Sequence, residues 1–176
     1  VSVIDTTTNA VTGPLAVGAG PSDIAFDSAN NRMYVTNFTD DTVSVIGTSD
    51  NTVTATIAVG NGPEGIAFDS ANNRMYVTNN DDGTVSVIDT TTNTVIDANG
   101  GDAGTAIAVG NGPYGIAFDS ANNRMYVANF TDWTVSVIDT SDYSVIDANG
   151  DAAGTAIAVG NGPWGIAFDS ANQRMY

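Results

Sequence analysis

The string Asn-Arg-Met-Tyr occurs at residues 31–34, 73–76 and 123–126, and returns as Gln173-Arg174-Met175-Tyr176. The spacings are 42, 50 and 50 residues. Val-Ser-Val-Ile keeps the same rhythm at 1–4, 43–46, 85–88 and 135–138, and so does a longer motif, Gly-x-Gly-Pro-x-x-Ile-Ala-Phe-Asp-Ser-Ala-Asn, whose Phe falls at 26, 68, 118 and 168. Periods of about 40–50 residues belong to propellers or to helical arrays. The repeats decide for β structure. Each is a set of short Val-, Ile- and Tyr-rich runs broken by Gly, Asn, Asp, Ser and Pro, and none shows a 3.6-residue periodicity.

In one repeat the runs are 65–69 (a), 74–78 (b), 85–89 (c) and a strand ending at 106–109 (d), joined by polar turns. This is an antiparallel meander. Runs that are apolar on both faces suit a sheet packed between two others, and radial stacking of such sheets makes a propeller. The coils of an open β-solenoid are too short to hold the meander. The expected fold is therefore all-β: a β-propeller of four-stranded antiparallel blades with four blade equivalents. Residues 1–176 form a single domain or propeller fragment, with units at about 22–59, 64–109, 114–159, and 164–176 combined with 1–17. The chain opens on strands c and d and finishes on strands a and b. These ends are expected to complete a mixed closing blade. Closure by four blades, by two chains in an eight-bladed ring, or by further blades outside the segment all remain open. The opening within an apolar alternating run, with no initiating Met, reads as a piece of a longer protein.

The chain resembles a known family at this level. Tyr34-Val35-Thr36-Asn37 and Tyr76-Val77-Thr78-Asn79 spell the signature of YVTN-type β-propeller repeats, and Tyr126-Val127-Ala128-Asn129 differs by one residue. With the flanking Val-Ser-Val-Ile and Gly-Pro-x-Gly-Ile-Ala-Phe motifs, the resemblance covers essentially the whole chain. It implies a propeller, usually seven-bladed, of the kind common in archaeal surface-layer and cell-surface proteins. Other members are secreted bacterial proteins or relatives of propeller enzymes. A fold signature of this kind does not fix a function.

Composition narrows the chemistry. Of the 20 acidic residues only Glu64 is a glutamate, against four Arg, and His and Cys are absent, as is Lys, for a net charge of -16. Such a field repels nucleic acid and anionic lipid heads and favours cations. No apolar run reaches the length of a membrane helix. Without His, Cys or Lys, most nucleophile–base pairs and transition-metal sites cannot be built. Carboxylate chemistry remains, but nearly every Asp sits in a repeated turn. Asp27, Asp69, Asp119 and Asp169 each stand five residues before an Arg, which predicts a structural ion pair across each hairpin. The alternative is an anion or sugar-acid site built from the four Arg.

Three groups of residues are candidates for function. The repeats differ most after the Gly-x-Gly-Pro turn, at Ser22, Glu64, Tyr114 and Trp164, and at the b–c turn tip, at Asp41, Gly83 and Trp133. In a meander the d–a and b–c turns share one face, so Ser22, Glu64, Tyr114, Trp164, Asp41 and Trp133 are expected to gather there as a ligand or partner face. Exposed aromatics often mark such faces, although turn tips also drift when nothing packs on them. The Asp-rich insertions place Asp97, Asn99 and Asp102, and Asp147, Asn149 and Asp151, in the alternating pattern that starts a calcium loop, without its closing Glu. Calcium is the one cofactor the sequence offers, and a plain β-turn is the alternative. Asn37 and Asn129 head Asn-Phe-Thr sequons and are glycosylation candidates.

These observations lead to a non-enzymatic extracellular module of the cell surface, structural or adhesive, as the expected function. Its partners are other surface proteins or copies of itself, with glycans as a further class, and neither nucleic acid nor direct membrane insertion is expected. A sugar- or peptide-binding propeller using the aromatic face is the second reading, and a metal-dependent hydrolase or lactonase the third. Near-identical repeats also invite swapping of blades between chains.

Overall fold

The computed structural model describes residues 1–96, 105–146 and 155–176, and all their regular structure is β. No helix among them is long and apolar enough to cross a membrane. The chain begins with a hairpin of β1 (Val3–Ile4) and β2 (Val11–Thr12). Next comes a four-stranded antiparallel sheet in sequence order, β3 (Pro21–Asp27), β4 (Arg32–Asn37), β5 (Thr42–Gly47) and β6 (Thr52–Ala58).

The second repeat forms β7 (Pro63–Asp69), β8 (Arg74–Asn79) and β9 (Thr84–Asp89), with an outer strand in two pieces. Of these, β10 (Thr94–Ile96) pairs with one end of β9 and β11 (Ile107–Ala108) with the other. The third repeat copies this with β12 (Pro113–Asp119), β13 (Arg124–Asn129), β14 (Thr134–Asp139), β15 (Val145–Ile146) and β16 (Ile157–Ala158). A last hairpin joins β17 (Phe168–Asp169) to β18 (Arg174–Met175). The a–b register recurs, with Asp27, Asp69, Asp119 and Asp169 opposite Arg32, Arg74, Arg124 and Arg174. In the three full sheets a bulge follows the Pro that starts strand a, re-aiming the two residues after it.

Hydrophobic cores lie between sheets rather than within them. Tyr34, Val43, Val45 and Ile57 of the first sheet meet Ile66, Met75, Val77 and Ile88 of the second. The same positions one repeat later build the next core: Tyr76, Val85, Val87 and Ile107 meet Ile116, Met125, Val127 and Ile138. One face of a sheet thus carries Tyr, Val, Val and Ile, and the other Ile, Met, Val and Ile. This is why the strands read as apolar runs without clean alternation. Each fully buried Val or Ile contributes about 1.5–3 kcal/mol.

Turns fall into two sets on opposite edges. On one edge the b–c turn hydrogen-bonds to the d–a connection: Phe38, Asn80 and Phe130 amides donate to the carbonyls of Gly20, Gly62 and Gly112. On the other, the amides of Thr48, Thr90 and Thr140 in the c–d turns donate to Asn31, Asn73 and Asn123 in the a–b turns. Turn chemistry suits these sites, since Asn31, Asn73 and Asn123 all take a φ of 53°, a left-handed conformation that Asn tolerates.

Two expectations are corrected here. The hairpin Asp residues do not pair with the Arg five residues on. Asp27 Oδ1 accepts from the amides of Ala29 and Asn30 at 2.9 and 3.1 Å, and its Oδ2 from Asn30 Nδ2 at 2.8 Å. Asp69, Asp119 and Asp169 repeat the pattern. The carboxylate is used up by the amides of its own turn before an arginine can reach it. Arg74 turns instead to Asp89 on strand c, at 2.7 Å, in the one salt bridge among the described residues.

The terminal hairpins likewise do not join into one mixed blade within this chain. β1–β2 and β17–β18 are separate two-stranded sheets. The first lies at the outer face of the first full sheet, where Val3, Ile4 and Leu15 line a cavity with Ile24, Met33 and Ile46. The last contacts β12, in the third full sheet. Strand pairing needs a separation of about 4.8 Å, and three intervening sheets hold the two hairpins at opposite ends of the stack.

Candidate functional site

The d–a connections bring the start of every strand a to the middle of the molecule. There β7 lies between β3 and β12. Close approach is possible because Gly follows the variable residue in repeats two and three. A Cβ on Gly65 would stand 2.2 Å from the Tyr114 carbonyl oxygen, and one on Gly115 would stand 2.5 Å from that of Trp164. Hydrogen bonds use this approach: Gly115 N donates to Trp164 O at 2.9 Å, and the Thr36 and Thr78 hydroxyls donate to the carbonyls of Glu64 and Tyr114, each at 2.8 Å.

The result is an open cavity of about 310 Å³ at the centre of one face. Ser22, Glu64, Tyr114 and Trp164, one from each repeat, line it together with Asp23 and the glycines. The Ser22 hydroxyl donates to Glu64 Oε2. Tyr114 stacks on Trp164 with ring centroids 4.1 Å apart and planes at 22°. Phe130, from the b–c turn, meets both rings edge-on at 5.6 and 5.7 Å, an arrangement favoured by the ring quadrupoles. Trp164 stays 60% exposed. Asp23 ties neighbouring backbone together. Its Oδ2 accepts from the Ile66 amide of the next sheet at 3.1 Å and its Oδ1 from the Ile24 amide at 2.8 Å.

The structure therefore brings together four of the six residues expected on a partner face. Asp41 and Trp133 share the edge but do not line the cavity. Asp41 Oδ1 accepts from the Gly62 amide at 2.9 Å, and Asp41, Gly83 and Trp133 all hold left-handed backbone at φ of 54°, 65° and 57°. Their carbonyls accept from Val59, Val109 and Val159, so the position serves the turn first. Sequence reasoning missed Phe130. The signal was available, since its equivalents are Phe38 and Asn80, another place where the repeats differ.

The glycosylation candidates are corrected. Asn37 and Asn129 are fully buried rather than exposed on their turns. Asn37 Nδ2 donates to Thr42 and Ser44, both at 3.0 Å, and Asn129 Nδ2 to Thr134 and Ser136, both at 2.9 Å. Asn79, which heads no sequon, makes the same bonds to Thr84 and Ser86. The nitrogen that would carry a glycan is thus a structural donor, packed under Gly18, Gly60 or Gly110, where a Cβ would fall 2.6 Å from the amide carbon. The calcium candidates Asp97, Asn99, Asp102, Asp147, Asn149 and Asp151 lie outside the described residues. Among the described residues no group of three or more acidic side chains is placed to hold a metal ion.

Electrostatics follow the turns. Asp132 is held below the ordinary carboxylate range by the backbone and side-chain amides of Asn111, and Asp169 by the side-chain and backbone amides of Asn172 and the backbone amide of Ala171. Burial pushes Asp89 up, but the Thr91 hydroxyl and amide together with Arg74 outweigh it and lower it. Burial pushes the Tyr34 and Tyr76 hydroxyls up. None of these groups touches the central cavity.

No protein-family model matches the chain, and no curated protein sequence does. Among solved structures it is similar to hydrazine synthase of Kuenenia stuttgartiensis, with a TM-score of 0.76 over 93% of this chain at 22% sequence identity. This chain corresponds to 43% of that one. The likeness supports a β-propeller-like all-β fold.

Proposed function

We propose that this protein is a non-enzymatic docking module of the cell surface, a rigid propeller that presents one face to a partner. In this reading the repeats are blades. Four blade equivalents make up the chain, and the half-blades at its two ends are completed by one another between copies or by further repeats. The observation that carries the proposal is the convergence of repeat variation. Ser22, Glu64, Tyr114 and Trp164 occupy one sequence position in four otherwise near-identical copies, and all four line one cavity. Drift at unpacked turn tips would scatter such differences. Here they build a mixed wall of hydroxyl, carboxylate and two stacked rings. The extracellular placement is supported by the resemblance to YVTN-type repeats and by a chain rich in Asp without Lys or Cys.

The test is an array of glycans and short peptides probed with the protein and with Trp164→Ala. Binding that is lost in Trp164→Ala and kept in Trp133→Ala is the expected result. Retained binding in both variants, or steady turnover of a lactone or ester with stoichiometric metal, would refute it.

A further inference from the structure

All four Arg residues, Arg32, Arg74, Arg124 and Arg174, stand at the start of strand b, on the edge formed by the a–b and c–d turns. The opposite edge, which holds the cavity, carries no basic residue among those described. Its acids are Asp23 and Glu64 at the centre, with Asp40, Asp41, Asp81, Asp82 and Asp132 on the surrounding b–c turns. The topology thus sorts the cations, which occupy a strand position that always lies on one edge, whereas acids such as Asp27, Asp69, Asp119 and Asp169 stand on that edge too. At the centre of the acidic edge the Tyr114–Trp164 stack offers an aromatic face beside the Glu64 carboxylate. An aromatic face next to a carboxylate, in a field of one sign, matches a cation with a flat or apolar body.

We propose that the central cavity binds the guanidinium or ammonium side chain of a basic peptide segment on the partner. The cation stacks on Trp164 and its charge faces Glu64. This rests on the docking reading above and names its ligand class. A cavity of about 310 Å³ holds a side chain rather than a folded element, and the acidic turns around it would meet the basic residues that flank it. Glu64 is the only glutamate among 20 acidic residues. Its longer stem carries the charge to the Ser22 hydroxyl of the neighbouring repeat, whereas Asp23, one position further along the motif, folds back onto backbone amides.

The experiment uses the whole chain in a Trp133→Phe background, so that fluorescence reports Trp164 alone. It is titrated at low salt with amidated tetra-arginine, with tetraglutamate and with chitotetraose. The expected result is saturable binding of tetra-arginine only. Glu64→Gln is expected to weaken it about threefold to fivefold, and Asp50→Asn on the opposite edge to leave it unchanged. Melting curves confirm that each variant is folded, and calorimetry with Tyr114→Ala gives a second, non-optical readout. Binding of chitotetraose or tetraglutamate at Trp164, or tetra-arginine binding indifferent to Glu64→Gln, would overturn the cation assignment and leave the docking pocket standing. A panel in which nothing perturbs Trp164 would overturn both.

Discussion

Replacing Gly65 by Ala tests the way the innermost strands are held together. The new Cβ would stand 2.2 Å from the Tyr114 carbonyl oxygen, where ordinary contact begins at 3.4 Å, and the obstacle is backbone, which cannot rotate away. Strands β7 and β12 would have to separate by about 1 Å. That strains the Thr78 hydroxyl, which accepts from Gly65 N and donates to Tyr114 O, both at 2.8 Å. Overpacking costs about 1–3 kcal/mol, and a stretched hydrogen bond adds about 1 kcal/mol. The sum of roughly 2–4 kcal/mol corresponds to a fall in Tm of about 4–16 °C for a chain of this size. Gly165 occupies the same motif position with nothing within 4 Å. Gly165→Ala is therefore expected to be neutral, or stabilising by up to about 1 kcal/mol through the unfolded state. The assay is thermal and urea unfolding of both variants beside the parent. Equal Tm values for Gly65→Ala and Gly165→Ala would refute the close approach of the inner strands.

The buried Tyr76 hydroxyl has no hydrogen-bond partner among the described residues, whereas Tyr34 donates to Asn93 Oδ1 at 2.6 Å. Tyr143 stands where that Asn would be, at a φ of 63°. Tyr143→Asn is expected to raise stability by about 1 kcal/mol, since satisfying the hydroxyl and relaxing the backbone outweigh the lost ring packing; a lower Tm would refute it. Arg74→Met is expected to cost about 1–2 kcal/mol through its partly buried pair with Asp89, and Arg32→Met, whose guanidinium meets the Thr90 carbonyl, about 0.5 kcal/mol; chemical denaturation gives both, and equal losses would count against the pair. Asp89, Asp132 and Asp169 have folded-state values below the ordinary 3.8. Their contribution is present above that pH and is lost as pH falls through the lowered values, so Tm should decline below about pH 4 and less steeply in Asp89→Asn. Intact mass of protein made in a glycosylating host is expected to show no glycan at Asn37 or Asn129, and quantitative occupancy at either would contradict their buried placement.

The repeat pattern carried the sheets because every strand is written several times, and the turns between them use residues with plain geometric reasons. Strand a departs only in detail, where the bulge after Pro21, Pro63 and Pro113 displaces two residues from simple pairing. Asp27 and Arg32 look like an ion pair in sequence and are opposite in register, but a carboxylate at a turn finds amides two and three residues on before any distant cation. Asn37 reads as an exposed turn residue from its polar neighbours. Its burial depends on Gly18, 19 residues earlier, which leaves the space that the amide fills. The central cavity was legible because the position after the Gly-x-Gly-Pro turn reads Ser22, Glu64, Tyr114 and Trp164 within repeats that otherwise nearly match. The neighbouring ring, Phe130, also stands where the repeats differ, but its approach to Trp164 brings a b–c turn to the start of strand a in another repeat and is a property of the assembled stack.

The two cores between sheets are position-for-position copies, with the Tyr34 set against the Met75 set and then the Tyr76 set against the Met125 set. Each sheet therefore has a front and a back that fit not a particular neighbour but any copy of itself. Duplicating or deleting one period of the gene would create no new kind of contact, only one more or one fewer of the same. Evolution can then change the number of repeats without redesigning an interface, and spend its substitutions on the few positions per repeat that reach the centre.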